Sequence, residues 1–196
     1  MKTKSKALLL ALCAVLLVAA SVLGTMSYLT SQDEVTNTFT VGSVSITLDE
    51  AKVNTDGTYV TDKDNRTDTN DYHLLPGHSY IKDPTIHVAQ NSEDCWLFVQ
   101  ITDEIAAIQD ADTIATQMAA NGWTLVDADA NVYAHNAIAK AGNNVVVFES
   151  FKIKGDVKND ALAAYANKTI KVIAYAVQAD GFDTAAATWT AAFAQN

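Results

Sequence analysis

The sequence predicts a mainly β protein: an antiparallel jelly-roll-like β-sandwich with short inserted helices, preceded by a signal peptide. Two patterns carry this expectation. Apolar and polar residues alternate with period two over several short stretches separated by Gly, Asn and Asp turn signals, and a helical period surfaces only briefly between them. Ahead of these stretches stand a basic start (Lys2, Lys4, Lys6) and an apolar run from Ala7 to Leu23. About seven short strands with interspersed helices suit two sheets packed face to face, the helices lying at an edge.

The apolar run is about 17 residues long, at the short end of what crosses a bilayer, and small residues follow it in place of a cationic stop-transfer flank. It therefore reads as a signal peptide over residues 1–27. Thr25 and Ser27 put small side chains where a peptidase has shallow pockets if cleavage falls between Ser27 and Tyr28. A run of this length can also stay in the membrane as a tilted anchor, and that uncleaved signal is the one membrane contact expected. Residues 28–196 then form a single secreted domain.

From Phe39 to Leu48, Phe39, Val41, Val44, Ile46 and Leu48 alternate with Thr and Ser, slipping once at Gly42, which marks a strand with a bulge. Asp49 to Tyr72 is polar and holds the turn signal Asp56-Gly57, so it reads as a long hairpin or surface loop. Leu74-Leu75-Pro76-Gly77 makes a turn into a second strand, Tyr80 to Val88, where Pro84 has no N–H for a ladder and marks an edge or bulge. Cys95 to Thr102 is apolar on both faces and therefore central. Asp103 to Asn121 shifts to helical spacing through Ile105, Ile108, Ile114 or Ala115, and Met118, with Gly122 as the stop. Trp123 to Val126 and Asn131 to Asn136 form a short pair about the Asp127-Ala128-Asp129 turn, and Val145 to Ile153 is another strong strand. Asn159 to Asn167 predicts a short helix capped by Asn159 or Asp160. Lys168 to Ala179 is apolar on both faces and predicts a buried strand. Asp183 to Ala194, alanine-rich with Trp189 and Phe193 four apart, predicts an amphipathic helix.

The formal charge is −10, and loss of the signal removes three lysines and no acid, leaving the domain more acidic still. That excess disfavours nucleic acid or an anionic membrane as a partner. Cys13 lies in the signal, so Cys95 is the one cysteine left and no internal disulfide can form. Stability must come from packing, with Cys95 as a half-buried strand thiol.

Several of these segments converge. The Gly24-Thr25-Met26-Ser27-Tyr28 junction, the run Asn37-Thr38-Phe39-Thr40-Val41-Gly42-Ser43-Val44, Leu75-Pro76-Gly77 followed by Lys82-Asp83-Pro84, and Ala174-Tyr175-Ala176-Val177-Gln178-Ala179-Asp180-Gly181-Phe182 together resemble the TasA and camelysin family of secreted Gram-positive proteins. The resemblance covers most of the chain and is weaker over residues 49–72 and in the helical insertion. It implies a jelly-roll subunit of biofilm matrix fibres, released by a SipW-type signal peptidase, located in the extracellular matrix or at the cell surface. It further implies a head-to-tail homopolymer, with an accessory or anchoring protein as a further partner. In such fibres the N-terminal segment of one subunit completes the sheet of the next. Residues 28–41 are the candidate donor strand, with Tyr28, Leu29, Val35, Phe39 and Val41 filling pockets and Thr36, Thr38 and Thr40 facing away. The other reading is that Thr36 to Leu48 pairs within its own subunit.

The camelysin resemblance also implies a metallopeptidase, but the residues do not support one. A zinc hydrolase needs converging imidazoles or carboxylates, most recognisably His-Glu-x-x-His, and His73, His78, His87 and His135 are scattered. No nucleophile elbow, phosphate loop or dinucleotide fingerprint occurs, so neither catalysis nor an organic cofactor is expected. Asp62, Asp64, Asp68 and Asp71, with Asp56, Asn65 and Asn70 nearby, are hard oxygen ligands of the kind calcium takes. The loop lacks the glycine and distal glutamate of an EF-hand, and Lys63 and Arg66 oppose a cation, so a solvated loop is the plainer reading. A calcium-dependent surface-binding module remains a further alternative.

Overall fold

The computed structural model describes residues 12–17, 43–110 and 114–193. The chain divides into two units, Met1–Thr40 and Val41–Asn196. In the first, residues 12–17 are helical. The cleavage position at Ser27 and Tyr28, and the donor-strand residues Leu29, Val35, Phe39 and Val41, lie outside the described residues. No helix among the described residues is long and apolar enough to cross a membrane.

The second unit is mainly β, and every ladder in it is antiparallel. Its strands are β1 (Ile46–Ala51), β2 (Arg66–Thr67), β3 (Ser79–Ile81), β4 (Thr85–Val88), β5 (Cys95–Asp103), β6 (Trp123–Asp127), β7 (Val132–His135), β8 (Asn144–Val146), β9 (Ser150–Lys152) and β10 (Ile170–Gln178). They form one sheet in the order β2-β1-β4-β8, a second in the order β10-β5-β7-β6, and the small pair β3-β9. The helices are short: α1 (Ile114–Ala120), α2 (Asn159–Leu162) and α3 (Ala185–Phe193), with 3-10 turns at Ala106–Ile108 and Ala163–Tyr165.

The period-two pattern explains how the two larger sheets share one core. Ile86 and Val88 of β4 meet Leu97, Val99 and Ile101 of β5, and Ile46, Leu48, Val172 and Ala174 pack against the same cluster. Burial is the main favourable term, at roughly 1.5–3 kcal/mol for each fully buried aliphatic side chain such as Ile86, Leu97 and Val99. The other face of β5 carries Trp96 and Phe98, which α3 covers through Trp189; the Trp189 and Phe193 rings lie 4.3 Å apart. A third cluster forms around Tyr80 and Phe151 on β3 and β9, whose rings stack at 4.9 Å.

Two expected strands are each broken in two. The Tyr80 to Val88 stretch divides at Pro84 into β3 and β4, and the Val145 to Ile153 stretch divides into β8 and β9. The breaks face each other: Val147 N–H donates to Pro84 O (2.8 Å) and Lys82 N–H to Glu149 O (3.1 Å). Proline cannot donate to a ladder, so both chains leave one sheet and enter the small pair there. The helix after β9 starts at Asn159 as expected, but its N-cap is Lys158, not Asn159 or Asp160, and no side chain caps it. Cys95 is fully buried rather than half-buried. The largest departure concerns β10. It pairs with β5 along its whole length, yet it is an edge strand, and none of its residues is fully buried.

Candidate functional site: an open seam between the sheets

The two sheets meet along two seams, and the seams differ. On one side α1 and β6 stitch the sheets together. Trp123 Nε1 donates to Val146 O (3.0 Å), and Gln117 donates through Nε2 to Ser150 O (2.7 Å) while its Oε1 accepts from Glu149 N (3.0 Å) and Ser150 N (3.1 Å). The edge strands there are poor templates for a further strand. β8 is three residues long, and β6 carries a register shift between Leu125 and Asp127. Short or bulged edges are the usual means of preventing unwanted pairing.

Among the described residues, the opposite seam shows none of those devices. β10 runs nine residues in unbroken register, from Ile170 opposite Asp103 to Gln178 opposite Cys95. Glu104 N–H donates to Thr169 O (3.0 Å) and Ala179 N–H to Asp94 O (2.8 Å), so odd-numbered residues face β5. Antiparallel bonding alternates, and the N–H and C=O groups of Ile170, Val172, Ala174 and Ala176 therefore point away from the sheet. Across the seam, Ala89 N–H donates to Ser45 O (2.9 Å), which turns the backbone groups of Ile46 and Leu48 outward on β1. Among the described residues no strand pairs with either stretch. The side chains of both stretches face the shared core, so the seam is apolar inside and hydrogen-bonding at its rims.

Between these edges lies a groove of about 1060 Å³, lined by Leu48 to Glu50 of β1, Ile170 to Val172 of β10, the Asp68 to Leu75 loop and the α2 segment. Its β1 end is closed by a polar network. β2 pairs with Glu50 and Ala51, and the Arg66 guanidinium donates to Asp49 Oδ1 (2.8 Å), Asp83 Oδ2 (2.7 Å) and the carbonyls of both (3.2 Å each). His87 Nε2 lies 2.8 Å from Asp49 Oδ1, and its Nδ1 lies 2.7 Å from Asn144 Oδ1. Burial alone would raise the Asp49 carboxyl, but the hydrogen bonds and charges of His87 and Arg66 outweigh it and hold the group below its ordinary value. Deeper in the groove, Lys82 Nζ pairs with Glu50 Oε2 (2.5 Å), and Asn70 Nδ2 donates to Glu50 Oε1 (2.9 Å).

The loop acids singled out in the sequence do not converge on this site. Asp62 Oδ1 accepts from the Asp64 and Asn65 N–H groups, Asp64 pairs with Lys63, and Asp68 and Asp71 line the groove mouth. The four histidines stay apart; His78 Nε2 meets Asp56 O at 2.7 Å, and His135 stands edge-on to Trp123. Among the described residues, no three His, Cys, Asp or Glu side chains form a metal-ion site. Burial pushes the Cys95 thiol up to about 11, with Asp94 adding to the shift, and such a group is no nucleophile at neutral pH.

Glu50 and Lys82 were not among the residues expected to matter. The available signal was a charge just past the first expected strand and another inside the second, which reads equally well as two solvated side chains. Comparisons with protein-family models, with characterised proteins and with solved structures each find no match.

Proposed function

We propose that this chain is a secreted structural subunit of extracellular fibres, in which residues 28–41 of one copy insert into the open seam of the next. The observation that carries the reading is the long, regular, unprotected edge of β10, set beside a groove and opposite the outward-facing groups of β1. An edge of this kind is a ready template for another chain, and among the described residues the edge strands β2 and β8 are short and β6 is bulged. An inserted strand would gain main-chain hydrogen bonds from the rim and bury alternate side chains in the seam. It would also complete a jelly-roll-like arrangement of the two sheets.

The donor segment directly precedes β1, so a copy that gives its strand to one neighbour keeps its own seam free for another. That contact is head-to-tail and non-closing, and it propagates as a filament. The resemblance to the TasA and camelysin family supports the same assembly, with a SipW-type peptidase freeing the donor. The test is negative-stain electron microscopy of the chain beginning at Tyr28 beside a chain lacking Tyr28 to Thr36. Filaments from the first and folded monomers from the second are expected. Filaments from both, or monomers from both, would overturn the reading.

A further inference from the structure

We propose that the buried Lys82–Glu50 pair is a polar subsite that fixes the register of the inserted strand by receiving Asn37 of a neighbouring copy, an inference that rests on the donor-strand reading. Lys82 and Glu50 are 8% and 5% exposed and both line the groove, among Leu48, Tyr72, Phe151 and Val172. Glu50 is engaged on both oxygens, by Asn70 and by Lys82. The Lys82 ammonium carries three protons. Among the described residues only one of its contacts is with an acceptor, so an entirely apolar occupant would leave buried donors unmet.

The occupant must therefore bring an acceptor, and an uncharged one suits the surroundings. A further carboxylate would lie beside Glu50 and close to Asp83, which Arg66 already neutralises. The candidate donor carries such a group among its apolar members. Val35, Phe39 and Val41 share one parity along an extended strand, and Asn37 falls in the same row between them. Ser31 and Asp33 share that parity nearer the start of the segment, so Asn37 is the polar member with apolar neighbours in the row on both sides, and its amide oxygen can accept from Lys82 while its NH₂ donates towards Glu50. A slip of two residues would set Val35 or Phe39 against the ammonium and bury Asn37 among apolar side chains. A single matched polar pair in an apolar seam selects one alignment in this way, as a lone buried asparagine does in a coiled coil.

The test is a double-mutant cycle on the critical concentration for assembly of the chain beginning at Tyr28. Asn37→Leu alone and Lys82→Met with Glu50→Gln alone should each raise it about tenfold, the cost of one unmet buried polar group. Combined, they should return it to within about threefold of the parent, because the ammonium that needs an acceptor and the amide that supplies one are then both gone. Asn37→Asp leaves the groove untouched should the Lys82 variant fail to fold, and it should raise the critical concentration further than Asn37→Leu. Additive penalties, or no effect of either Asn37 change, would overturn the proposal and leave the donor-strand reading standing. Assembly that is indifferent to residues 28–41 altogether would remove that reading first.

Discussion

At the residue scale, the polar network at the closed end of the groove makes stability depend on acid. Asp49 is held below its ordinary value of 3.8. A carboxyl depressed on folding contributes stability that is complete above its unfolded pKa and drains away as pH falls through the lower folded one. Asp49→Asn should therefore flatten the acid limb of stability, read as a smaller drop in urea midpoint between about pH 5 and pH 2 than the parent shows. Gly57 is a second sensitive position. Its φ is +80°, and a Cβ there would stand 2.7 Å from Tyr80 Cα, which is backbone and cannot swing aside. Gly57→Ala should cost about 2 kcal/mol or more in chemical denaturation, from strain and from displacement of Tyr80. Cys95 should stay unreactive to a thiol reagent in the folded chain and react at once in denaturant, since it is fully buried.

At the element scale, β10 separates two kinds of backbone position. The Ala174 N–H points to the open rim, whereas Ile173 belongs to the odd-numbered set that bonds to β5. Ala174→Pro should leave a folded monomer, at a cost of about 1–2 kcal/mol, and block the proposed strand addition; Ile173→Pro should remove a ladder bond and cost about 3 kcal/mol or more. Thermal melting and electron microscopy of the two variants read both effects. On the other face of the same sheet, Trp189 of α3 packs against Phe98 at 5.2 Å and Tyr175 at 5.7 Å. Trp189→Ala should cost about 3–5 kcal/mol by uncovering that face. The central strand β5 was legible from its apolar run, and α3 from its Trp189–Phe193 spacing. The breaks at Pro84 and Val147 were only half legible: the proline flagged one, and nothing in Val145 to Ile153 flagged its partner across the ladder.

At the scale of the whole molecule, the proposed strand insertion implies that a donor peptide stabilises the folded chain. A peptide of residues 28–41 added to the chain lacking Tyr28 to Thr36 should raise its melting temperature in a saturable way. At 100 times its dissociation constant the gain is about 2.7 kcal/mol, because a ligand that binds only the folded state shifts unfolding by mass action. If the proposed assembly holds, the same peptide should slow growth of filaments from the chain beginning at Tyr28 by occupying the seam. A scrambled peptide with equal effect would show that the stabilisation owes nothing to strand insertion.

Period-two patterning, turn residues and short helical spacings determined that this chain folds as antiparallel sheets with few helices, because side-chain alternation is a local property of an extended backbone. They also placed the central strand and the two aromatic positions that seat α3. Which strands become edges was decided only by tertiary structure. β10 has the apolar composition of a strand buried on both sides, and a periodic pattern records which faces are covered without recording whether a neighbour lies alongside. The pairing of Lys82 with Glu50 was likewise beyond local reading. The two residues stand 32 apart in sequence and meet only because β1 and the β3–β4 corner converge at the groove.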